Sequence, residues 1–202
     1  MGLGAIARVV AVSGGIAFGA PAGPARADDL MTSARHIQTL LDQGDREAAV
    51  REARAFLRSV TAEAGFGVTN ARLTEGPATG FGVFSPREDN VFAPGEPVHA
   101  YVEVYGFSLT PGPDGSNRMT FDVSFTLDSP DGVQLTDALV PMGEVLLQSY
   151  SSPVDGYFHL TYRITGAEGT FNLRTHVVDR ASGQSAEFVL PVEFAAPEAE
   201  GK

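Results

Sequence analysis

Two histidines and one carboxylate are the residues in this chain best placed to do chemistry together. His99 and Glu103 lie four apart in the stretch Pro97–Phe107, where alternation puts both on one face. His159 and Arg163 share the outer face of a later stretch, Tyr157–Ile164. If those two stretches pair, His99, Glu103 and His159 converge, and imidazole with carboxylate suits zinc or copper. A small periplasmic hydrolase or metal-binding protein using these three residues is therefore the alternative reading. Against it, outward strand positions are polar by default and Arg163 repels a cation. The expectation is no metal and no cofactor. Acidic turns at Asp114-Gly115, Asp128-x-x-Asp131-Gly132 and Asp89-Asn90 would suit calcium, with Asp89-Asn90 the best placed. None has EF-hand spacing, and Asp and Asn also occupy turns because their side chains bond nearby backbone. The chain contains no G-x-S-x-G elbow, H-E-x-x-H pair or phosphate loop. Without tryptophan or an aromatic-rich cleft, sugar stacking is also disfavoured. The expected protein is not an enzyme.

The element that must position these groups is a strand. In Val98–Tyr105, Val98, Ala100, Val102 and Val104 alternate with His99, Tyr101, Glu103 and Tyr105, which is the period of a half-buried strand. The turn Pro94-Gly95-Glu96-Pro97 precedes it. Its polar face, with Tyr157, His159 and Arg163 opposite, is the candidate binding surface. From residue 80 onward, short strands are expected at Phe81–Ser85, Pro97–Phe107, Met119–Leu127, Val133–Thr136, Val145–Tyr150, Tyr157–Ile164, Thr170–Asp179 and Ser185–Phe194. Turn-forming clusters separate them without helical segments, which predicts an antiparallel sandwich. Inward rows are expected from Phe121, Val123, Phe125 and Leu127, from Phe158 to Ile164, from Phe171 to Val177 and from Phe188 to Phe194.

Before the sandwich, Leu30, Ala34, Ile37, Leu40 and Leu41 recur at helical spacing, and so do Ala49, Ala53, Phe56 and Val60. Gln43-Gly44-Asp45 separates the two runs, so an αα-hairpin is predicted. It is expected to lay its apolar stripe on the sandwich, burying Phe56 and covering Tyr101 and Tyr105. Residues 1–27 read as a secretory signal: Arg8, a short apolar run, and Ala25-Arg26-Ala27 as cleavage site. The resulting division is 1–27 signal, 28–66 hairpin, 67–79 connection, within which Val68–Leu73 could pair briefly at an edge, 80–195 sandwich and 196–202 disordered tail.

The formal net charge is −11, or −13 without residues 1–27, which hold Arg8 and Arg26 and no acid. An acidic chain repels phosphate backbones and anionic lipid, so neither nucleic acid nor stable membrane insertion after signal removal is expected. Zero cysteines excludes disulfides and thiolate chemistry.

Three stretches carry resemblances. Leu40–Leu57, LLDQGDREAAVREARAFL, resembles the turn and second helix of one tetratricopeptide-type unit; no second unit follows, and such repeats need about three. Gly169–Phe194, GTFNLRTHVVDRASGQSAEFVLPVEF, is similar to the closing hairpin of bacterial immunoglobulin-like modules, with Phe171 in place of their tyrosine. That likeness implies a mainly β, antiparallel immunoglobulin-like sandwich. Gly80–Phe107 resembles a family of exported proteobacterial proteins of unknown function through the core G-x-G-x-[YF]-x-P-R-x-x-N-x-F-x-P-G-E-P. Its residues Pro86, Arg87, Asp89, Asn90, Phe92, Pro94, Gly95 and Glu96 form a motif without an assigned role. Together the readings imply an exported, non-catalytic binding or structural module of the cell envelope, whose partner is an envelope or extracellular protein.

Overall fold

The computed structural model describes residues 27–196, so the signal reading and the tail from Pro197 lie outside it. Two helices come first, α1 (Ala27–Asp42) and α2 (Arg46–Ala64). Between them Gly44 takes φ 77°, a left-handed angle that glycine adopts without strain. Asp45 caps α2, its Oδ1 accepting from the Ala48 N–H at 3.1 Å. Among the described residues no helix is long and apolar enough to cross a membrane.

The remainder is mainly β and forms two sheets. The strands are β1 (Gly67–Thr74), β2 (Val91–Phe92), β3 (Val98–Tyr105), β4 (Thr110–Pro111), β5 (Asn117–Asp128), β6 (Val140–Ser149), β7 (Asp155–Tyr162), β8 (Gly169–Asp179) and β9 (Ser185–Phe194). The smaller sheet has the order β1-β3-β7, antiparallel throughout, with Val98 opposite Tyr162 and Tyr101 opposite His159. The larger runs β2-β9-β8-β5-β6, and β4 pairs with Asn117 and Arg118 of β5, beyond the reach of β8. Only β2 and β9 pair in parallel.

Between the sheets lies one apolar core. Val98, Ala100, Val102 and Val104 meet Phe121, Phe158, Leu160, Leu173, Val177 and Val192, all buried. Phe121 is its hub, with Phe66, Phe107 and Phe158 rings about it at centroid distances of 5.6, 6.1 and 5.7 Å. Each fully buried large side chain contributes ~1.5–3 kcal/mol of transfer free energy. The four rows expected to face inward do so, although Leu127, Phe171 and Phe188 are only half-buried. One polar pair is enclosed with them: Tyr162 Oη and Thr175 Oγ1 stand 2.7 Å apart.

Several expectations are corrected. The supposed connection 67–79 supplies β1, so the sandwich begins at Gly67. Phe81–Ser85 is not a strand; it makes isolated bridges, Gly80 with Val83 and Thr74 with Pro86. Gly82 at φ 67° turns the chain there, and its aromatics are drawn onto the sheet rather than into a ladder. Val133–Thr136 is also not a strand. A tight turn, with Ser129 N–H donating to the Val133 carbonyl at 2.7 Å, leaves a single bridge from Asp128 to Gln134. The hairpin does not lie over Tyr101 and Tyr105. The C-terminal half of α2 instead meets the end of the sandwich beside Gly106, Phe107, Pro153 and Val154. Phe56 is half-buried, not a core residue.

Candidate functional site

The face of β3 and β7 singled out by sequence is built as expected in register but is not open. Tyr101 is 0% exposed. Phe84 stacks on its ring at 4.4 Å, Tyr157 lies at 5.7 Å on the same sheet, and the Gly82 N–H donates to Tyr101 Oη at 2.7 Å. Phe81 then meets the edge of Tyr157 at 6.0 Å. The stretch Gly80–Phe84 is thus the cover that the helices were expected to provide. Tyr105 folds over Gly67, where a Cβ would stand 2.2 Å from the ring, so any larger residue there would displace the end of the Tyr105 side chain. As a binding surface for Tyr101, the face is therefore withdrawn.

His99, Glu103 and His159 share this face, but His99 and Glu103 are each bonded elsewhere. Glu103 Oε1 accepts from Tyr101 Oη at 2.7 Å and from Asn70 Nδ2 at 2.9 Å. His99 Nδ1 stands 3.0 Å from Thr161 Oγ1. Burial holds the His99 imidazole below its usual pKa, and the charges of His159 and Arg163 push the same way. Among the described residues no cluster of three or more metal-ligating side chains occurs. His159 and Arg163 remain exposed at the edge strand β7. Tyr101 itself is pushed up to about 12, by burial first and then by its bond to Glu103.

The motif of unassigned role proves to be a clamp. Arg87 reaches three acceptors: Nη1 to Glu96 Oε1 at 2.7 Å, Nη2 to the Val91 carbonyl at 2.6 Å and Nε to Asp89 Oδ1 at 3.2 Å. Its guanidinium sits 4.2 Å above the Phe92 ring, a cation–π contact. Glu96 Oε2 accepts from the Ala93 N–H at 2.8 Å, closing the turn in which Gly95 has φ 77° and Pro94 the position before it. The clamp fastens the loop to the last strand. Asn90 Nδ2 donates to the Pro191 carbonyl at 3.4 Å, and the Glu193 N–H donates to the Asn90 carbonyl at 2.8 Å. Asp89 and Asn90, the best-placed pair for calcium, are used as tethers, Asp89 Oδ1 also accepting from the Val91 N–H. Pro86 bridges to β1 next to the clamp. Asp114 is engaged likewise: Ser116, Gln148 and Tyr150 all donate to it, and its carboxyl is held at about 2, Ser116 contributing most.

Sequence reasoning missed an open surface on the larger sheet. Among the described residues β6 pairs with β5 on one side and with no strand on the other. Val140 and Leu146 on it are exposed, and Val133, Leu135 and Leu139 in the preceding loop are more than half exposed. For Leu139, Val140 and Leu146 the signal was present as a largely apolar run, Leu139 to Leu147, broken by Pro141, Gly143 and Glu144. The outer face of that sheet, by contrast, is knitted by ion pairs. Arg174 joins Asp128 at 2.7 Å and Glu187 at 3.5 Å, and Arg180 joins Asp122 and Glu144.

No protein-family profile and no curated protein sequence matches the chain. Among solved structures it is similar to Spo0M, a sporulation control protein from Bacillus subtilis, with 12% identity and a TM-score of 0.34 over 65% of this chain and 50% of that one. It is similar to a beta-glucosidase from Listeria innocua in complex with gluconolactone, with 10% identity and a TM-score of 0.34 over 65% of this chain and 16% of that one. It is similar also to the alkylpurine DNA glycosylase AlkC of Pseudomonas fluorescens bound to abasic-site DNA, with 12% identity and a TM-score of 0.36 over 84% and 44%. The chain spans half or less of the length of each, and likenesses of this size transfer no property to it.

Proposed function

We propose that this chain is an exported, non-catalytic module of a bacterial cell envelope that binds another protein along the open edge of its larger sheet. The observation that carries the reading is β6: an edge strand without Lys or Arg, whose Pro141, Glu144 and bulge are confined to its first half and leave residues 145–149 regular, flanked by exposed Val133, Leu135 and Leu139. Natural edge strands are usually blunted by charge, because free N–H and C=O groups recruit other chains. An extended segment added there gains main-chain bonds from the edge and specificity from the apolar side chains. The order β1-β3-β7 against β9-β8-β5-β6, with β2 parallel to β9, supports an immunoglobulin-like arrangement. Export rests on residues 1–27, and the envelope assignment adds the Gly80–Phe107 resemblance. The excess of acid supports a protein partner over nucleic acid or a lipid surface.

The test is capture from periplasm with the chain as bait, repeated with Val140→Lys and Leu146→Lys. A partner retained by the parent, lost from both variants, and slowing amide exchange in β6 is the expected result. Capture unaffected by both substitutions would overturn the edge reading. A hydrolytic activity abolished by His99→Ala would overturn the non-catalytic one.

A further inference from the structure

A second surface stands out by charge. The protein has a net charge of −11, yet four of its 14 Lys and Arg side chains fall in one helix, α2, at Arg46, Arg51, Arg54 and Arg58. With Val50 and one carboxylate, Glu47, they line one wall of an open groove of about 590 Å3, and Ser151 and Ser152, between β6 and β7, form the other, so four guanidiniums face a single acid. Arg51 has Glu47 at 3.7 Å, and Arg58 Nη1 donates to the Ser152 carbonyl at 3.3 Å. Like Arg35, Arg58, Arg72, Arg118 and Arg163, Arg46 and Arg54 form no ion pair among the described residues; what sets these two apart is that they share one groove with Arg51 and Arg58. In an acidic chain with carboxylates to spare, two unpaired guanidiniums in one recess are a local reversal of sign.

We propose that this groove binds an acidic segment of another protein in extended form. Its carboxylates would sit on Arg46 and Arg54, and an apolar side chain on Val50. Arginine forks match carboxylates bidentately, and a recess concentrates its field on an incoming anion. From Arg46 to Arg58 the helix rises roughly 18 Å, the reach of about five to six extended residues. Val50, 58% exposed, supplies an apolar floor between the charges. The recess has two walls, which suits a single strand of chain; a bilayer surface would meet the rim and not the floor. The groove is a different surface from the β6 edge and does not rest on that reading.

The probe is a fluorescent octapeptide of glutamate and leucine, titrated with the full chain by anisotropy at low and high salt. Controls are the same peptide with glutamine for glutamate, and phosphatidylglycerol vesicles. The expected result is salt-sensitive binding of the acidic peptide alone, weakened about tenfold or more by Arg46→Glu and by Arg54→Glu, in keeping with charge-assisted bidentate contacts. Arg35→Glu makes the same charge change on α1, outside the groove lining, and should leave binding at physiological salt within about twofold, because it removes no direct contact and salt screens the rest. Arg54→Gln, which removes the charge without reversing it, should weaken binding with the helical circular dichroism unchanged. No binding, equal loss with Arg35→Glu, equal binding of the glutamine peptide, or binding of vesicles without the peptide would each overturn the proposal.

Discussion

Arg87 shows how one side chain can turn an irregular loop into a fixed one. Its side chain is 14% exposed and satisfies a carboxylate, a carbonyl and an aromatic face at once. Arg87→Met should cost about 1–3 kcal/mol, less than the ~3–5 of a fully buried pair because Glu96 keeps contact with water. Chemical denaturation checks this. The Ala93 N–H foremost, and then Arg87, hold the Glu96 carboxyl below its usual value against the effect of burial. A depressed carboxyl contributes stability present above its unfolded pKa and lost as pH falls through the folded one. In Glu96→Gln, stability should therefore decline less steeply than in the parent below about pH 4. Tyr101 has the opposite sign. Its folded pKa of about 12 means that stability is full below the unfolded value and is lost as pH rises toward 12. Spectrophotometric titration of Tyr101→Phe should lack the component that ionises there.

Among elements, the strands were the most legible. Alternation in β3, β5, β7, β8 and β9 marks one face apolar, and nothing in the tertiary structure competes with that pattern. β1 was legible only as a brief edge pairing over Val68–Leu73, because the stretch alternates poorly: Asn70 sits at φ 46° and the register slips between Thr69 and Arg72. Phe81–Ser85 misled for the converse reason. Its aromatics answer to a tyrosine stack across the sheet, a demand that no local pattern records. The clamp residues were legible as a motif, while their bonds to β9, about a hundred residues away, were not. A glycine requirement fixes the helix to the sheets. Gly106 has φ 66°, and a Cβ there would fall 2.1 Å from the Gly65 carbonyl oxygen at the end of α2. Gly106→Ala should therefore destabilise by more than the ~1 kcal/mol of a strained angle alone. The extra cost should appear as faster amide exchange at the C-terminal end of α2.

For the whole molecule, the hairpin is an appendage on one end of a sandwich. Exposed Met31, Leu41, Val50 and Leu57 show that neither helix is wrapped by the sheets. Phe56→Ala should then cost only about 1–2 kcal/mol, below the ~3–5 of a fully buried phenylalanine, since its ring is half-buried. Exchange should rise in α1 and α2 while the core amides of β3, β5 and β8 hold. Equal loss of protection in both parts would instead show a single cooperative unit.

The seam between β2 and β9 also bears on how the chain assembles in time. Phe92 packs on Phe194, and Asn90 reaches Pro191 across a separation of 101 residues. Contacts so distant along the chain form slowly, since a long loop must close before they reward it. Synthesis delivers Arg87 about a hundred residues before Pro191. Until the final strand emerges, the clamp has nothing to fasten to and Phe92 has no ring to meet. The last ten strand residues are thus the keystone, and a chain cut before them would stand with the edge of β8 and the inner wall of Phe92 open to neighbours.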